Sequence, residues 1–251
     1  MSIEYVAADG VARITLNRPD KRNAIISEMM SALRDALQRA ADDATVRVLL
    51  IRGAGKDFCA GLDLSEVLKS AENADASLAS ARRLGDLYIA MRRHPKPIIA
   101  AVQGRALGGG AGIATASDLI IATKSAQFGY PEVKLGFIPA IVATMLRRSV
   151  NERQAMELAL TGEPLSASRA NAIGLINRVV PDAEFEAAVE SYVTALAGNS
   201  ATAMSLSKTL LYETDGMSFE ASIEAGVQAN IQARTTDDFK RGVERFLKRS
   251  R

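Results

Sequence analysis

Three observations predict an α/β core followed by a helical C-terminal region. Short apolar runs of strand type alternate with helical patterns through the first half of the chain. From Ala140 onward helical patterns follow one another, with a single strand run, Ile176 to Val180, among them. The 251 residues, 48% hydrophobic and 24% charged, suit one large globular domain or a domain with an appendage.

Ile3 to Ala8 and Val11 to Leu16 flank Asp9-Gly10, and an Asp-Gly pair between such runs signals a hairpin. Asn17-Arg18-Pro19-Asp20 breaks the pattern. Ser27 to Ala41 carries Met30, Leu33, Ala36, Leu37 and Ala40 at helical spacing, with Ser27 placed as N-cap. Val46 to Ile51 reads as a buried strand closed by Gly53 and Gly55. Asn73 to Ser80, small and polar, reads as a mobile surface segment that overlaps the start of a helix from Ser77 to Arg93. Pro95 and Pro97 stop that helix before a strand from Ile98 to Val102. Leu119 to Ala122 and Gln127 to Tyr130 are further short strands. The later helices are read over Ala140 to Ser149, Glu152 to Leu160, Ser166 to Ala172, Glu184 to Ala197, Ala201 to Tyr212, Phe219 to Ala233 and Asp237 to Lys248.

Charge excludes little but favours little. There are 31 basic and 29 acidic residues, for a net charge of +2, and no Trp. No stretch joins basic side chains to aromatics, so nucleic-acid binding is not expected. The single cysteine, Cys59, permits no intrachain disulfide. No apolar run approaches the roughly 18 residues of a membrane span. Glu4 and Asp9 interrupt the N-terminus, which reads as lacking a signal peptide. A cytoplasmic protein without membrane association is expected.

The most informative stretch is Ile98 to Gly112, where a strand run enters a turn and the turn opens into Gly108, Gly109, Gly110 and Gly112 before a helix-like segment, Ile113 to Ser117. Glycine lets backbone approach a ligand closely. The unpaired N–H groups at a helix start favour negative charge. Such a turn can hold a phosphate or an oxyanion formed during a reaction, or its glycines can serve only close helix–strand packing. The spacing fits neither the dinucleotide fingerprint nor the phosphate loop.

Three side chains invite chemistry. His94, the only histidine, lies at a helix end in Arg92-Arg93-His94-Pro95 and reads as a surface residue, since no G-x-S-x-G elbow accompanies it. One His and one Cys make a zinc site improbable, and no calcium loop is present; no metal is expected. Cys59 reads as a small buried residue. Glu132 follows Pro131 amid uncharged neighbours. It is either an acid/base whose pKa an apolar pocket raises, or a solvent-facing glutamate at a helix start.

Together these segments resemble the enoyl-CoA hydratase/isomerase, or crotonase, superfamily. The resemblance is carried by Asn17-Arg18-Pro19 with Asn23-Ala24; by Phe58-Cys59-Ala60-Gly61-Leu62-Asp63-Leu64; by Lys96 to Val102 with Gly104 and Ala106-Leu107-Gly108-Gly109-Gly110; by Asp118-Leu119; and by Phe128-Gly129 with Pro131-Glu132 and Leu135-Gly136. Leu160-Thr161-Gly162, Ala172 to Asn177, Asp238-Phe239-Lys240, Gly242 and Phe246-Leu247 continue it to the end. The order and spacing hold nearly end to end.

The resemblance implies a crotonase-like spiral of ββα units over residues 1–195 and a C-terminal helical trimerisation region over 196–251. It implies an acyl-CoA thioester substrate, with coenzyme A as part of that substrate and no separate cofactor, and a homotrimer or homohexamer. It further implies an oxyanion hole whose donors, by position, are the N–H groups of Ala60 and Gly109, each stabilising the transition state by about 3–4 kcal/mol. Phe58, Cys59, Ala60, Gly61, Leu62, Asp63 and Leu64 are matched to the segment that holds coenzyme A through its backbone. Gly108 belongs to the same site, and Arg22 is placed near the coenzyme. Ile138, Ile141 and Val142 are placed at the acyl pocket. Phe246 and Arg249 match positions that reach a neighbouring subunit's coenzyme in some members.

One departure bears on the reaction. Hydratases of the superfamily carry two glutamates; here the second is Glu132, and Gly112 stands in place of the first. Ala140 stands where dienoyl-CoA isomerases and aryl-CoA dehalogenases carry an aspartate. Moving a double bond from the 3- to the 2-position needs one base. The expectation is therefore an acyl-CoA enzyme with Glu132 as acid/base, isomerase favoured over hydratase. The alternatives are a hydratase, including one acting on another acyl-CoA, and a coenzyme A-binding protein of low activity.

Overall fold

The computed structural model describes residues 1–249, the side chain of Arg249 excepted. Strands β1 (Ile3–Ala8) and β2 (Val11–Leu16) form the expected antiparallel hairpin, with Ala8 opposite Val11 and with Asp9 and Gly10 both at positive φ. That is the geometry in which a two-residue turn matches strand twist. Helix α1 (Ser27–Asp42) follows and buries Met29, Met30, Leu33, Ala36, Leu37 and Ala40. The N-cap is Ile26, not Ser27, and no side chain of the helix caps it. Instead the Ser27 N–H and hydroxyl both donate to Glu66, at 2.8 and 3.0 Å. A distant carboxylate thus satisfies the helix start, which local sequence could not reveal.

Strand β3 (Val48–Gly53) leads to helix α2 (Leu64–Ala71), capped by the Asp63 side chain. Helix α3 spans Ala74–Arg93. The segment read as mobile is the first turn of α3, because the Asn73 side chain accepts from the N–H groups of Asp75 and Ala76. Strands β4 (Ile98–Val102) and β5 (Arg105–Leu107) precede helix α4 (Gly109–Ala116). Then come β6 (Leu119–Thr123), β7 (Gln127–Gly129), a 3₁₀ turn at Pro131–Leu135, α5 (Val142–Ser149) and α6 (Glu152–Thr161). They are followed by β8 (Leu165–Ser166), α7 (Ala167–Ala172), β9 (Arg178–Val180) and α8 (Phe185–Ala197). The chain continues through α9 (Ala201–Glu213), α10 (Phe219–Arg234) and α11 (Asp237–Arg249).

The large sheet has the order β1-β2-β3-β4-β6-β9, parallel beyond the hairpin. Its central strands β3, β4 and β6 are buried on both faces, hence their continuous apolar runs, while the edge strand β1 is largely exposed. Leu49 and Ile51 join a core with α1 and α3, while Val48 and Leu50 meet Phe185, Val189 and Val193 of α8. A second sheet orders β5-β7-β8. Cys59 bridges to Ala106 at its edge, and Ile25 bridges to Leu62.

His94 is not a surface residue. It is 5% exposed, accepts at Nδ1 from the Lys96 N–H at 3.1 Å, and its Nε2 lies 3.1 Å from the Leu37 carbonyl. Burial pushes its pKa down, so a neutral imidazole pins the end of α3 beneath α1. Another buried group ties α9 to the sheet. Lys208 donates to Asp118 at 2.8 Å and to the carbonyls of Met91 and Lys96, both at 3.2 Å. Asp118 also accepts from the Ile98 N–H at 2.7 Å and the Tyr212 hydroxyl at 2.7 Å. Asp118→Ala leaves the Lys208 charge buried without its counter-ion. It is expected to destabilise the fold by about 3–5 kcal/mol in urea unfolding.

Candidate active site

The second sheet builds the site. Because β5 pairs with β7 in parallel, Leu107 lies opposite Gly129, and the Gly108 N–H donates to the Gly129 carbonyl at 2.9 Å. Two residues beyond Gly129 the chain enters its 3₁₀ turn, with Pro131 in the first turn and Gly136 closing it in the left-handed region. This delivers the Glu132 carboxyl onto the glycine turn. A Cβ on Gly108 would lie 2.8 Å from Glu132 Oε1, and Gly108 has φ 50° and ψ −121°. The backbone conformation requires glycine there, and the contact shows how closely the carboxyl lies against it. Helix α4 starts at Gly109, four residues earlier than the apolar pattern suggested, because a run of buried glycines carries no hydrophobic periodicity.

The segment around Gly61 meets this turn from the other side. A Cβ on Gly61 would lie 3.7 Å from the Gly109 nitrogen, and a Cβ on Gly109 would lie 3.6 Å from the Leu62 nitrogen. Among the described residues, neither the Gly109 nor the Leu62 N–H has an acceptor within the chain. The Ala60 N–H is different: it donates to the Arg22 carbonyl at 3.0 Å. Ala60 was matched as an oxyanion donor, and that match fails because its hydrogen is already committed.

Two connected chambers share Gly109 and Glu132. The inner one, about 320 Å³, is walled by Leu62, Val67, Leu84, Ile138, Ile141 and Val142, with Ala140 beside them. The outer one, about 650 Å³, runs past Ala60, Gly61, Leu64, Gly108, Lys134 and Phe137. Glu132 is the one carboxylate lining either chamber among the described residues. Its Oε2 is buried and has no hydrogen-bond partner, and burial pushes its pKa up, opposed in part by a backbone hydrogen bond. Glu132 is half-buried, with Oε2 shielded from solvent, and so does not simply face solvent at the helix start.

Not every matched residue reaches the chambers. Phe58 and Cys59 are fully buried and spend their N–H groups on the carbonyls of Gln103 and Arg105, at 2.8 and 2.9 Å. Burial pushes the Cys59 thiol up to about 12, as befits a packing residue. Asp63 gives its N–H to Ile25 at 2.9 Å, caps α2 and pairs with Arg18 at 3.2 Å. The backbone of these three serves sheet and helix, not a ligand. Arg22 is exposed outside both chambers, in the left-handed region. Phe246 is exposed on α11, and the Arg249 side chain lies outside the described residues. Sequence reading missed Val67, Leu84 and Phe137, whose neighbours in the site come from distant segments.

Comparison with known proteins agrees with this geometry. The family model for enoyl-CoA hydratase/isomerase matches residues 7–251. A Thermus thermophilus protein provisionally assigned as an enoyl-CoA hydratase is 37% identical over 240 residues, 95% of each chain. The 1,2-epoxyphenylacetyl-CoA isomerase of Escherichia coli is 34% identical, covering 95% of this chain and 92% of its own. The crystal structure of an enoyl-CoA hydratase from Mycobacterium smegmatis superposes with a TM-score of 0.96 at 29% identity, over 99% of this chain and 97% of that one. A single acid beside free backbone donors, in a fold shared end to end with these relatives, places the chain in the enoyl-CoA hydratase/isomerase family, as an enzyme that acts on acyl-CoA thioesters.

Proposed function

We propose that this enzyme isomerises enoyl-CoA thioesters by a single-base mechanism, with Glu132 as acid/base and the N–H groups of Leu62 and Gly109 as the oxyanion hole. The carrying observation is the buried, unpartnered Oε2 of Glu132 beside two backbone donors that have no acceptor of their own. Glu132 takes a proton from the α-carbon of a 3-enoyl thioester. The electron pair of that C–H bond becomes the α,β double bond, and the former β,γ pair takes the proton back from Glu132 at the γ-carbon. In between, negative charge rests on the thioester oxygen, where fixed N–H dipoles stabilise it without reorganising. The acyl chain occupies the inner chamber and the thioester and pantetheine the outer one. Coenzyme A is then part of the substrate, and no other cofactor takes part. Gly112 supplies no second acid to hold and activate a water, which sets hydration at a disadvantage.

The alternative within the family is a hydratase, and the ratio of kcat/KM for 3-hexenoyl-CoA isomerisation to that for crotonyl-CoA hydration decides between them. The expected ratio is above one; fast hydration with negligible isomerisation refutes the single-base mechanism. A coenzyme A-binding protein of low activity would turn over neither.

Glu132→Gln is expected to keep acetoacetyl-CoA binding in calorimetry while turnover falls by about 10²- to 10⁴-fold. Because burial raises the Glu132 pKa, the basic form is lost at a higher pH than for an ordinary glutamate near 4.3. The acidic limb of the wild-type kcat/KM profile should lie above that value. The stability sign also follows. A carboxyl whose folded pKa is raised favours the folded state below the unfolded pKa and loses that contribution as pH rises through the folded pKa. At neutral pH Glu132→Gln should therefore melt above the wild type, and the gap should close as pH falls below about 4.3.

The region 196–251 is read as an assembly region. Phe219, Ile223 and Ile231 of α10 and Phe239 of α11 are exposed large apolar side chains on neighbouring helices, the kind of surface that assembly covers. Light scattering is expected to give a trimer or a dimer of trimers; a stable monomer at full activity would count against it.

A further inference from the structure

The space beside Gly112 is full. A Cβ there would overlap the Tyr88 hydroxyl and lie 2.6 Å from Tyr88 Cζ and 2.6 Å from Val142 Cγ1. These atoms arrive from two other helices, Tyr88 from α3 and Val142 from the start of α5. Tyr88 is 2% exposed, and its hydroxyl donates to the Gly109 carbonyl at 2.8 Å. The missing acid at position 112 is thus not a vacancy. A phenol from a helix far upstream in the chain has taken its place.

We infer that Tyr88, seated against Gly112 and Val142, is the specificity-determining residue of this site: it fills the volume from which a second acid or a water would act opposite Glu132. The inference rests on the single-base reading above. A bound water needs about 2–4 polar partners and room of its own. On this side the ring and the Val142 methyls offer none, and the O–H of Tyr88 is already donated to Gly109, which leaves at most one acceptor for a water in a space with no room for it. That hydrogen bond also opposes any swing of the ring away from the slot. It ties α3 to the first turn of α4, whose Gly109 N–H is one of the proposed donors. Tyr88 does not line either chamber, so it acts by occupying space and not by touching substrate.

The test reads the ratio of kcat/KM for crotonyl-CoA hydration to that for 3-hexenoyl-CoA isomerisation in the wild type, Tyr88→Ala and Tyr88→Phe. Thermal melting and acetoacetyl-CoA binding serve as controls for folding. In Tyr88→Ala the emptied slot frees the Gly109 carbonyl, now held by the Tyr88 hydroxyl, as a partner for a water. The ratio should rise by about 10-fold or more, short of the roughly 10²- to 10⁴-fold that a positioned acid or base supplies. In Tyr88→Phe the ring still fills the slot, so the ratio should stay at the wild-type value while both activities fall together by a few-fold at most. A folded, ligand-binding Tyr88→Ala with an unchanged ratio overturns the inference, and so does a Tyr88→Phe in which the ratio rises. If Tyr88→Ala does not fold, Gly112→Ala decides. It should melt well below the wild type because its methyl meets Tyr88 and Val142; melting and turning over like the wild type overturns the inference. The wild-type ratio alone judges the isomerase reading, and only the change in ratio judges Tyr88.

Discussion

Gly108 gives its N–H to the Gly129 carbonyl, and that single bond joins the two halves of the site. It extends the β5–β7 pairing by one rung just where both strands leave the sheet. On one side the chain turns into α4 and leaves the Gly109 N–H at a helix start without an acceptor. On the other it turns through Pro131 and lays the Glu132 carboxyl against Gly108. Without this rung the acid and the donors would belong to two independent loops. The parallel pairing fixes their separation before any substrate arrives, which is the preorganisation that electrostatic catalysis requires.

The segment from Phe58 to Leu62 completes the arrangement by the same economy of backbone hydrogen bonds. Phe58, Cys59 and Ala60 each donate to a carbonyl, of Gln103, Arg105 and Arg22 respectively. Asp63 donates to Ile25. What remains between Ala60 and Asp63 are the N–H groups of Gly61 and Leu62, of which Leu62 lies beside the Gly109 turn. Backbone pinned on both sides by hydrogen bonds holds an open donor more precisely than a flexible loop does. The side chain of Leu62 meanwhile faces the acyl chamber, so the residue that would hold the oxyanion also shapes the pocket.

Burial gives the site its chemistry. The inner chamber is walled by aliphatic side chains, so the Glu132 carboxylate is poorly solvated and its basicity rises. The same packing that raises this pKa removes any partner from the far side, since Tyr88 and Val142 close the space beside Gly112. In the proposed mechanism reactivity and selectivity would both follow from one feature, a largely apolar pocket with one carboxylate. The helical hairpin of α2 and α3 belongs to this wall: α2 supplies Val67 and Ala71, α3 supplies Ala81 and Leu84, and Glu66 anchors α2 to the start of α1.

Much of this was legible in the residues alone. The Asp-Gly hairpin, the continuous apolar strands, the glycine turn, the pairing of Pro131 with Glu132 and the absent acid at Gly112 are local signals, and local signals survive in a linear text. What the sequence could not carry are the contacts between segments distant along the chain. His94 looked exposed because nothing near it announces that Leu37 will cover it. Ser27 looked like a cap because Glu66 is far along the chain. Ala60 looked like a donor until the fold brought the Arg22 carbonyl to it, and it is the Leu62 N–H that is left without an acceptor. Tyr88 gave no sign at all, since a tyrosine at helical spacing is ordinary core. Residue types and short spacings determined the family and singled out Glu132 as the candidate acid; tertiary packing decided which N–H groups stay free and what fills the space beside Gly112, because hydrogen-bond partners and excluded volume are set by neighbours in space.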